Sequence, residues 1–466
     1  MLWAGEESDE RLGVQELDAK SICRARLEAM TPLRWLLKKG SEKKFRLGHP
    51  WVFSSELAQS PKGVAPGGLV ELRDTSGTSL AVGYGHPNSM ISFRTLSLDA
   101  KEAIDAKFFV KRFTQAFRAR QSAGVADYSH RFIFAEGDFL PGLIIDRFFL
   151  EPKLASDPAS QCFVLQSSTA GMDRLLEFVL LGLESFVTDV DTRISWEQTS
   201  IVFANDSKSR ALEGIEVEAK RVVRAGPGFS GESAVIRLQP PLDGLPATLF
   251  EVDFVGGQKT GFFLDQRANV QLASRSVRQL AKKAKAEGRV LKVLDLFCYV
   301  GQWGAQLANV ARGEGCEVEV VLADASAKAL ELARRNVERA GGKATPLKMD
   351  VVDGLGEEIE KAAFDVVICD PPAFVKKKKD LPTGTQAYVK VNRDAIRKTK
   401  PGGLFVSCSC SGLFTEDEFR EMLAKVTLSA PRPVRWIARG SHGPDHPQRP
   451  EFPQGTYLKS WFGLID

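Results

Sequence analysis

Short apolar segments and amphipathic segments alternate regularly in the C-terminal part of the chain. Apolar runs short enough for buried strands lie at 290–297, 317–323, 344–348, 364–369 and 404–409. Helical spacing of apolar positions separates them, at about 303–312, 326–340, 352–362, 386–399 and 416–428. This alternation predicts a parallel sheet with right-handed crossovers. Two last strands, around 433–438 and 457–464, have no long helix between them and are expected to pair antiparallel at the sheet edge.

The first part of the chain has a different pattern. From Leu33 to about Leu98, short strand-like segments alternate with turns that contain glycine, which predicts a small barrel. Residues 101–123 carry an apolar stripe at helical spacing, and a mixed α+β region follows. It contains a predicted hairpin around Pro141 and Gly142 and a predicted helix over 175–187.

A second hairpin is predicted where the C-terminal part begins. Residues 248–254 and 259–264 resemble two strands on either side of Gly256 and Gly257. Asp265 then stands where it would cap the helix that follows. The resulting domain prediction is an extension over 1–32, a barrel over 33–100, an α+β domain over 101–247 and a seven-stranded, mostly parallel α/β domain over 248–466.

Length and composition agree with this organisation. A chain of 466 residues suggests about three domains at ~150 residues each. Hydrophobic residues make up 43% and charged residues 26%, as in soluble globular proteins. The most apolar stretch, Leu175 to Phe186, is too short for a membrane span and contains two glutamates, and the acidic amino terminus lacks the apolar core of a secretory signal. We therefore expect a cytoplasmic protein without a membrane partner.

The cysteines argue against a disulfide framework and against a metal site. There are seven, Cys23, Cys162, Cys298, Cys316, Cys369, Cys408 and Cys410. The count is odd and no paired C-x-x-C spacing occurs, so we expect no structural zinc and a reducing compartment.

Positive charge is clustered although the net charge is only +4. Six Lys or Arg lie between Arg34 and Arg46, and Lys376 to Lys379 form an unbroken run. Each cluster is either a solvated face or a set of contacts to nucleic-acid phosphates.

Acidic residues at the predicted strand ends indicate a nucleoside site. Asp295 lies just inside the first strand, and Gly301 belongs to a G-x-x-G turn that is not a diphosphate-binding G-x-G-x-x-G. Asp324 could accept from ribose hydroxyls and Asp350 from an adenine amino group. Together they favour S-adenosylmethionine over a dinucleotide.

The fourth and fifth strands end in residues that fit methyl transfer to a base. Asp370 opens a rigid Asp-Pro-Pro-Ala-Phe loop that can hold an exocyclic amine, while Phe374 can stack on a flipped base. Cys410 emerges at the carboxyl edge, and the dipole of the helix after Thr415 could lower the pKa of its thiol.

From about residue 33 to the end, the chain resembles the PUA-domain-containing methyltransferases that modify carbon-5 of cytosine in large-subunit ribosomal RNA. The matching stretches are HPWVF (49–53), LPGL (140–143), GQKTGFFLDQR (257–267), VLDLFCYVG (293–301), DPPAFV (370–375), SCSGL (409–413), DHP (445–447) and YLK (457–459). The resemblance implies a PUA-like barrel, a small middle α+β domain and a Rossmann-like class I methyltransferase domain.

The resemblance also implies roles for individual residues. Cys410 is expected as the nucleophile, and Gln266 and Arg267 near the cofactor. From the position of the Asp-Pro-Pro loop we predict Asp370 as the second catalytic residue and as a cofactor contact. We further predict cofactor contacts for Phe297 and Tyr299 and substrate contacts for Lys378, Tyr388 and Asn392. The turn contains Gln302 and Trp303, where the family has small residues.

The predicted reaction is addition of Cys410 to carbon-6 of a cytosine, which makes carbon-5 a nucleophile toward the methyl group. A water molecule or Cys408 would remove the carbon-5 proton. Two alternatives remain: a methyltransferase acting on an exocyclic base amine, and an RNA-binding module whose pocket is blocked by Trp303. RNA is the expected partner in each case, and the oligomeric state, monomer or homodimer, stays open.

Overall fold

The structure is a computed structural model that describes residues 32–152, 154–428, 430 and 432–466. The predicted N-terminal extension and Cys23 lie outside the described residues, apart from residue 32. Three sheets follow one another along the chain, of five, seven and seven strands.

The first sheet, of five strands, lies where the small barrel was expected. Its elements are β1 (Leu33–Leu36), α1 (Glu42–Arg46), β2 (Trp51–Phe53), β3 (Leu69–Arg73), β4 (Ser79–Gly85) and β5 (Ile91–Ser97). The strand order is β1-β3-β4-β5-β2, with β1 parallel to β3 and the other pairs antiparallel. Its alternating apolar positions, among them Val52, Val70 and Phe93, turn inward to form a core.

The second sheet belongs to the middle of the chain. Its elements are α2 (Ala106–Ser122), β6 (His130–Phe134), β7 (Leu143–Leu150), β8 (Ser160–Ser167), α3 (Ala170–Arg174), α4 (Leu176–Asp189), β9 (Thr199–Phe203), α5 (Ser209–Leu212), β10 (Arg221–Arg224), β11 (Ala234–Leu238) and β12 (Thr248–Val252). The order is β10-β9-β8-β7-β11-β12, and β6 pairs with β7. One sheet face packs on α2 and α4 through phenylalanines such as Phe113, Phe132 and Phe186.

The third sheet confirms the predicted α/β architecture. Its elements are α6 (Arg267–Ala286), β13 (Leu291–Leu296), α7 (Gln302–Gly313), β14 (Val318–Asp324), α8 (Ala327–Arg339), β15 (Lys343–Lys348), α9 (Glu357–Glu360), β16 (Phe364–Cys369), α10 (Leu381–Ile396), β17 (Thr399–Ser409), α11 (Glu416–Leu428), β18 (Val434–Gly440) and β19 (Lys459–Ile465). The order is β15-β14-β13-β16-β17-β19-β18, parallel except for the last two pairs. The predicted helix over 352–362 is reduced to the single turn of α9.

Alternate residues of the third sheet face two different cores. Val293 and its in-register neighbour Val366 pack on the side of α6, α7 and α8, whereas Leu294 and Val367 pack on the side of α10 and α11. The first core also includes Phe250 and other residues of the second sheet, so these two parts share one continuous hydrophobic core. This shared core fixes the carboxyl edge of the third sheet relative to the middle of the chain.

The predicted hairpin over 248–264 is wrong. Strand β12 pairs with β11 of the second sheet, with Phe250 opposite Ile236, and residues 259–264 form no strand. The Asp253 carboxylate instead accepts from the backbone N–H groups of Val255 and Gly256 and folds the segment into a loop. The hairpin predicted around Pro141 has a longer connection than expected, because β7 pairs with β6, which ends at Phe134.

Asp265 does not cap α6. Gln266 is the cap position and makes no side-chain capping bond, while Asp265 Oδ2 accepts from the Tyr457 hydroxyl at 2.7 Å. The capping box predicted at Thr415 is confirmed, since Thr415 and Glu418 exchange side-chain to backbone hydrogen bonds.

Buried polar contacts hold the first sheet on the second. The Tyr84 hydroxyl bonds the carbonyl of Pro141 at 2.8 Å and lies 2.9 Å from the hydroxyl of Thr169. Arg94 forms an ion pair with Glu213 at 2.7 Å, and both side chains are buried. No described helix is both long and apolar enough to cross a membrane.

Replacing Arg94 by alanine should destabilise the protein strongly. The substitution leaves the Glu213 carboxylate buried without its cation, which costs about 3–5 kcal/mol in comparable pairs. Urea unfolding of Arg94→Ala and of Arg34→Ala measures the two free energies of unfolding. The Arg34 pair with Glu71 spans 3.5 Å and the Arg34 side chain is 70% exposed, so its loss should cost less than about 1 kcal/mol. Equal effects of the two substitutions would contradict the assignment of Arg94 and Glu213 as a dehydrated pair.

Candidate active site

Four neighbouring strands of the third sheet end at one edge, and the space beside this edge is called the groove. Strands β13, β14, β16 and β17 run parallel in adjacent positions, so their carboxyl ends meet at the same edge. The residues at these ends are Phe297, Asp324, Asp370 and Cys410. The residues predicted for the site therefore lie along one sheet edge, while their chemical roles stay predictions.

The turn after β13 has an unusual backbone. Phe297, Tyr299 and Gly301 have φ angles of +61°, +48° and +77°. For the two aromatic residues this left-handed conformation costs about 1–3 kcal/mol each, a strain that clusters at functional sites. The turn is held by the Asp324 carboxylate, which accepts from the backbone N–H of Tyr299 at 3.0 Å.

The glycine of this turn has a packing reason that the sequence did not reveal. A Cβ on Gly301 would lie 3.1 Å from the Cα of Ala333 in α8, and the φ of +77° already disfavours other residues. Helix α7 begins directly after it. The need for glycine is therefore explained by the approach of α8 without invoking a ligand.

Asp295 is buried, and only one of its two carboxylate oxygens accepts a hydrogen bond from the described residues. Its Oδ2 accepts from the backbone N–H of Gly304 at 2.9 Å, while Oδ1 has no hydrogen-bond partner among the described residues. Burial, with the negative charges of Asp370 and Asp324, raises the pKa of Asp295 to about 8. A buried acceptor without a donor fits a ligand that brings a donor or a positive charge.

The two carboxylates predicted for an adenosine lie at neighbouring strand ends. Asp324 is half-buried and accepts from the backbone N–H groups of Tyr299 and Ser326. Asp350 follows β15, is exposed, and accepts from the backbone N–H of Val352 at 2.9 Å. Strands β14 and β15 are paired up to Asp324, so both carboxylates can face one ligand.

Asp370 is held in place by two donors on the same oxygen. Gln266 Nε2 donates to Oδ2 at 2.8 Å and Trp303 Nε1 donates to it at 3.1 Å, while Asn269 fixes the Gln266 amide from the other side. No described residue donates to Oδ1. Burial raises the pKa of Asp370 to about 6, against the opposing effect of the Trp303 hydrogen bond. Trp303 is thus a supporting residue of the site, a role that only the tertiary structure reveals.

Arg267 faces away from this groove. Its guanidinium donates to the backbone carbonyl of Ser129 and lies 3.8 Å from the Asp445 carboxylate. These contacts join α6 to the second sheet. The prediction that Arg267 contacts the cofactor is therefore not supported by its position, whereas its neighbour Gln266 does reach the groove.

Tyr388 and Asn392 support the groove from behind. Tyr388 is fully buried, stacks on Phe414 and shares hydrogen bonds with the hydroxyls of Ser409 and Ser411. Asn392 is equally buried and bonds the carbonyl of Tyr388. Their burial does not support the predicted substrate contact: Tyr388 holds Ser409 and Ser411 on either side of Cys410, and Asn392 accepts from the Ser407 hydroxyl.

Phe374 and Lys378 are accessible, unlike Tyr388. The half-buried Phe374 ring lies 4.8 Å from the ring of Tyr388 and 6.4 Å from that of Phe297. Lys378 is exposed in a short turn, and it forms no ion pair with any described residue. Both positions are compatible with substrate contact, which stays a prediction.

Cys410 is a half-buried thiol at the end of β17. Burial raises the pKa of its thiol to about 11; the Lys259 charge lowers the pKa, while Asp370 and Asp265 raise it further. The predicted lowering of this pKa by the helix dipole is wrong, because dehydration is the larger effect. Cys408 is completely buried and its sulfur accepts from the Ser460 hydroxyl, so it cannot reach a substrate.

Further side chains that the sequence analysis did not assign to the site lie near enough to Cys410 to interact with it electrostatically. They are Lys259, Asp265, Tyr457 and Lys459. Lys459 Nζ donates to the carbonyls of Ser411 and Tyr457 at 2.9 and 2.7 Å and so ties the cysteine turn to β19. The signal for them was their occurrence in the GQKTGFFLDQR and YLK stretches.

Known families match two parts of the chain. The PUA-like domain family matches residues 36–98 and the Methyltransferase domain family matches residues 288–441. Within the described residues, no group of three or more His, Cys, Asp or Glu could hold a metal ion.

Similar proteins cover almost the whole chain. A protein of Klebsiella pneumoniae (strain 342) named ribosomal RNA large subunit methyltransferase I is 34% identical over 438 residues, which is 92% of this chain and 97% of that protein. The protein of the same name from Erwinia tasmaniensis is 33% identical over 92% of this chain and 98% of its own length. A Streptococcus mutans protein assigned to the SAM-dependent methyltransferases shares the fold, with 16% identity, a TM-score of 0.65, and coverage of 93% of this chain and 100% of that one.

Alkylation should reveal the raised pKa of Cys410. Since only the thiolate reacts, the rate of iodoacetamide labelling at Cys410 should rise about tenfold per pH unit between pH 7 and 9 without levelling off. Mass spectrometry of the peptide that contains Cys410 measures the rate, and Cys410→Ser identifies background labelling. A plateau below pH 8 would contradict a pKa near 11.

Proposed function

Since the chain belongs to the family of the ribosomal RNA large subunit methyltransferase I proteins, we propose that it methylates carbon-5 of a cytosine in large-subunit ribosomal RNA, with S-adenosylmethionine as methyl donor. The observation that carries the proposal is the half-buried Cys410, which ends a strand beside the aspartate of an Asp-Pro-Pro loop. A thiol in that position is what addition to carbon-6 requires.

The residues at the groove fit S-adenosylmethionine. When bound, it supplies a methyl group made electrophilic by a sulfonium sulfur. Asp324 would accept from the ribose hydroxyls and Asp350 from the adenine amino group. Asp295, through its unpartnered Oδ1, would receive a donor or positive charge of the ligand. Phe297, Tyr299 and Gly301 would form the turn that borders it.

Cys410 acts first in the proposed mechanism. Its sulfur, once deprotonated, adds to carbon-6 of a cytosine held out of its stack and turns carbon-5 into an enamine-like nucleophile. The Lys259 charge favours the thiolate, because it lowers the pKa that burial raises. The groove would hold both reactants in contact geometry, which is a large part of the rate enhancement in such reactions.

Asp370 orients the base. With a pKa of about 6 it is mostly ionised at neutral pH, and its oxygen Oδ1 is free of donors from the described residues. That oxygen can accept from the cytosine amino group, while Gln266 and Trp303 hold the other. Phe374 borders the same loop and can stack on the base.

The N-terminal domain and the basic clusters would bind the RNA. Residues 33–100 form the proposed RNA-binding domain, 101–247 the middle domain and 248–466 the methyltransferase domain. Lys39 and Lys43, and Lys376 to Lys379, are exposed and form no ion pairs with described residues. Such free cations release counterions from phosphates, so the affinity should fall steeply with salt. An enzyme acting on ribosomal RNA would work in the cytoplasm.

One observation favours a second candidate reaction. With a pKa near 11, Cys410 is largely protonated at neutral pH, and methylation of an exocyclic base amine needs no thiolate. In that reaction Asp370 and Phe374 would hold the amine and the base, and Cys410→Ala would retain activity.

Covalent trapping distinguishes the two reactions. RNA that carries 5-azacytidine should form a denaturation-resistant adduct with the wild-type protein in the presence of S-adenosylmethionine, because the nitrogen at position 5 prevents release of the enzyme. The adduct should be lost in Cys410→Ala and should persist in Cys408→Ala, a matched control at a buried cysteine of the same strand. Methylation of ordinary RNA without any adduct would contradict the proposal and favour the amine reaction.

A further inference from the structure

We propose that Tyr457, hydrogen-bonded to Asp265, removes the proton from carbon-5 of the cytosine. The inference rests on the proposed function, because only carbon-5 chemistry requires loss of this proton. It assigns a catalytic role to a tyrosine and a supporting role to an aspartate.

The stereochemistry of the reaction limits where the base can lie. Once the Cys410 sulfur has added to one face of the pyrimidine ring, the methyl group can reach carbon-5 only from the opposite face. The hydrogen on carbon-5 then points toward the side of the ring on which Cys410 lies. The group that removes it must therefore stand beside Cys410 and not beside the methyl donor.

Tyr457 lies beside the turn that follows Cys410. The turn after Cys410 approaches it so closely that a Cβ on Gly412 would lie 3.6 Å from the Cβ of Tyr457. The Lys459 ammonium bonds the carbonyls of both Ser411 and Tyr457 and holds the two segments together. The His442 imidazole packs against the Tyr457 ring at 4.4 Å, and the half-buried side chain keeps some exposed surface.

The hydrogen bond from Tyr457 to Asp265 provides a destination for a proton. The Tyr457 hydroxyl donates to Asp265 Oδ2 at 2.7 Å, and Asp265 is buried. Burial opposes ionisation of Asp265, but Lys259, His446, the Tyr457 hydrogen bond and Arg131 together outweigh it and lower its pKa. Burial and the Asp265 charge raise the pKa of Tyr457, so the pair consists of a phenol and a carboxylate.

The proton transfer balances within this pair. The carbon-5 proton moves to the Tyr457 oxygen while the phenolic proton moves to Asp265 Oδ2. The electron pair of the C5–H bond becomes the C5=C6 double bond, the C6–S bond breaks, and its electron pair returns to the Cys410 sulfur. Asp265 later gives the proton to solvent.

The other groups near Cys410 are less suited to this step. Cys408 is fully buried, and His442 uses Nε2 to accept from the backbone N–H groups of Tyr457 and Leu458. Lys459 is bound as a cation between two carbonyls, and Asp370 is engaged with Gln266 and Trp303 and with the proposed amino group. Among the described residues, we therefore assign the Tyr457–Asp265 pair as the acceptor of the carbon-5 proton.

The test uses RNA with tritium at carbon-5 of cytosine and follows three quantities: tritium release, methyl transfer, and a denaturation-resistant adduct. Tyr457→Phe removes only the hydroxyl, and Asp265→Asn keeps the shape but weakens the acceptor.

Tritium release should fall about 100-fold or more in Tyr457→Phe, as for loss of a general base. Because methyl transfer precedes this step, a methylated adduct with ordinary cytosine should accumulate in both variants. Tyr128→Phe, whose hydroxyl has no partner among the described residues, should match the wild type.

Each other outcome decides against the assignment or against its premise. Unchanged tritium release in Tyr457→Phe would overturn the proposal and point to a water molecule. The proposal would also be overturned if slower adduct formation accounted for the whole loss of tritium release. Tyr457 and Asp265 would then act on the Cys410 thiol and not on the carbon-5 proton. If the wild type methylates RNA without releasing tritium, the proposed function itself fails. Thermal unfolding and S-adenosylhomocysteine binding show whether a variant is folded. If Tyr457→Phe is unfolded, the same three quantities measured for Asp265→Asn test the proposal.

Discussion

The assembled site depends on the contacts of one buried carboxylate, that of Asp445. It accepts from the backbone N–H of Arg131 in β6 at 3.0 Å and from His446 Nδ1 at 3.1 Å, and it lies 3.8 Å from the guanidinium of Arg267 at the start of α6. Burial disfavours its charge, but Arg267, His446 and the backbone donor outweigh burial and lower the pKa of Asp445 far below its usual range. The second sheet, α6 and the connection between β18 and β19 therefore meet at one charge. Through this arrangement Gln266 reaches Asp370, and Tyr457 reaches Asp265.

Burial also affects the titratable groups of the groove, and they fall into two kinds according to whether their pKa is raised or lowered. Asp295, Asp370 and Cys410 lack enough compensating charge, and burial raises their pKa values. Asp265 has cations around it, and its pKa is lowered. Pairs of titratable groups whose surroundings push their pKa values apart mark the acids and bases of an active site. In the proposed mechanism they separate Cys410, the nucleophile that must lose a proton, from Asp265, the carboxylate that receives one.

Much of the fold follows from local pattern, because the periods of strands and helices are visible along the chain. The strands that carry Asp295, Asp324, Asp370 and Cys410 were predicted within a few residues, except that β17 begins earlier, and so was the common edge at which they end. The hairpin over 248–264 failed because β12 finds its partner in β11, a pairing between sheets that local alternation cannot reveal. Likewise, the burial of Tyr388 and the contacts of Arg267 with Ser129 and Asp445 depend on neighbours distant in sequence. The pKa of Cys410 was misjudged for the same reason, since dehydration belongs to the tertiary structure.

The central claim concerns which atom of the RNA receives the methyl group, and nucleoside analysis tests it most directly. Ribosomal RNA from cells lacking the protein is incubated with the purified enzyme and S-adenosylmethionine carrying a deuterated methyl group. It is then digested to nucleosides for mass spectrometry with authentic standards. The account predicts label in 5-methylcytidine and its absence after reaction with Cys410→Ala. Label in N-methylated cytidine, guanosine or adenosine would contradict carbon-5 chemistry and make the amine reaction the correct description of this site.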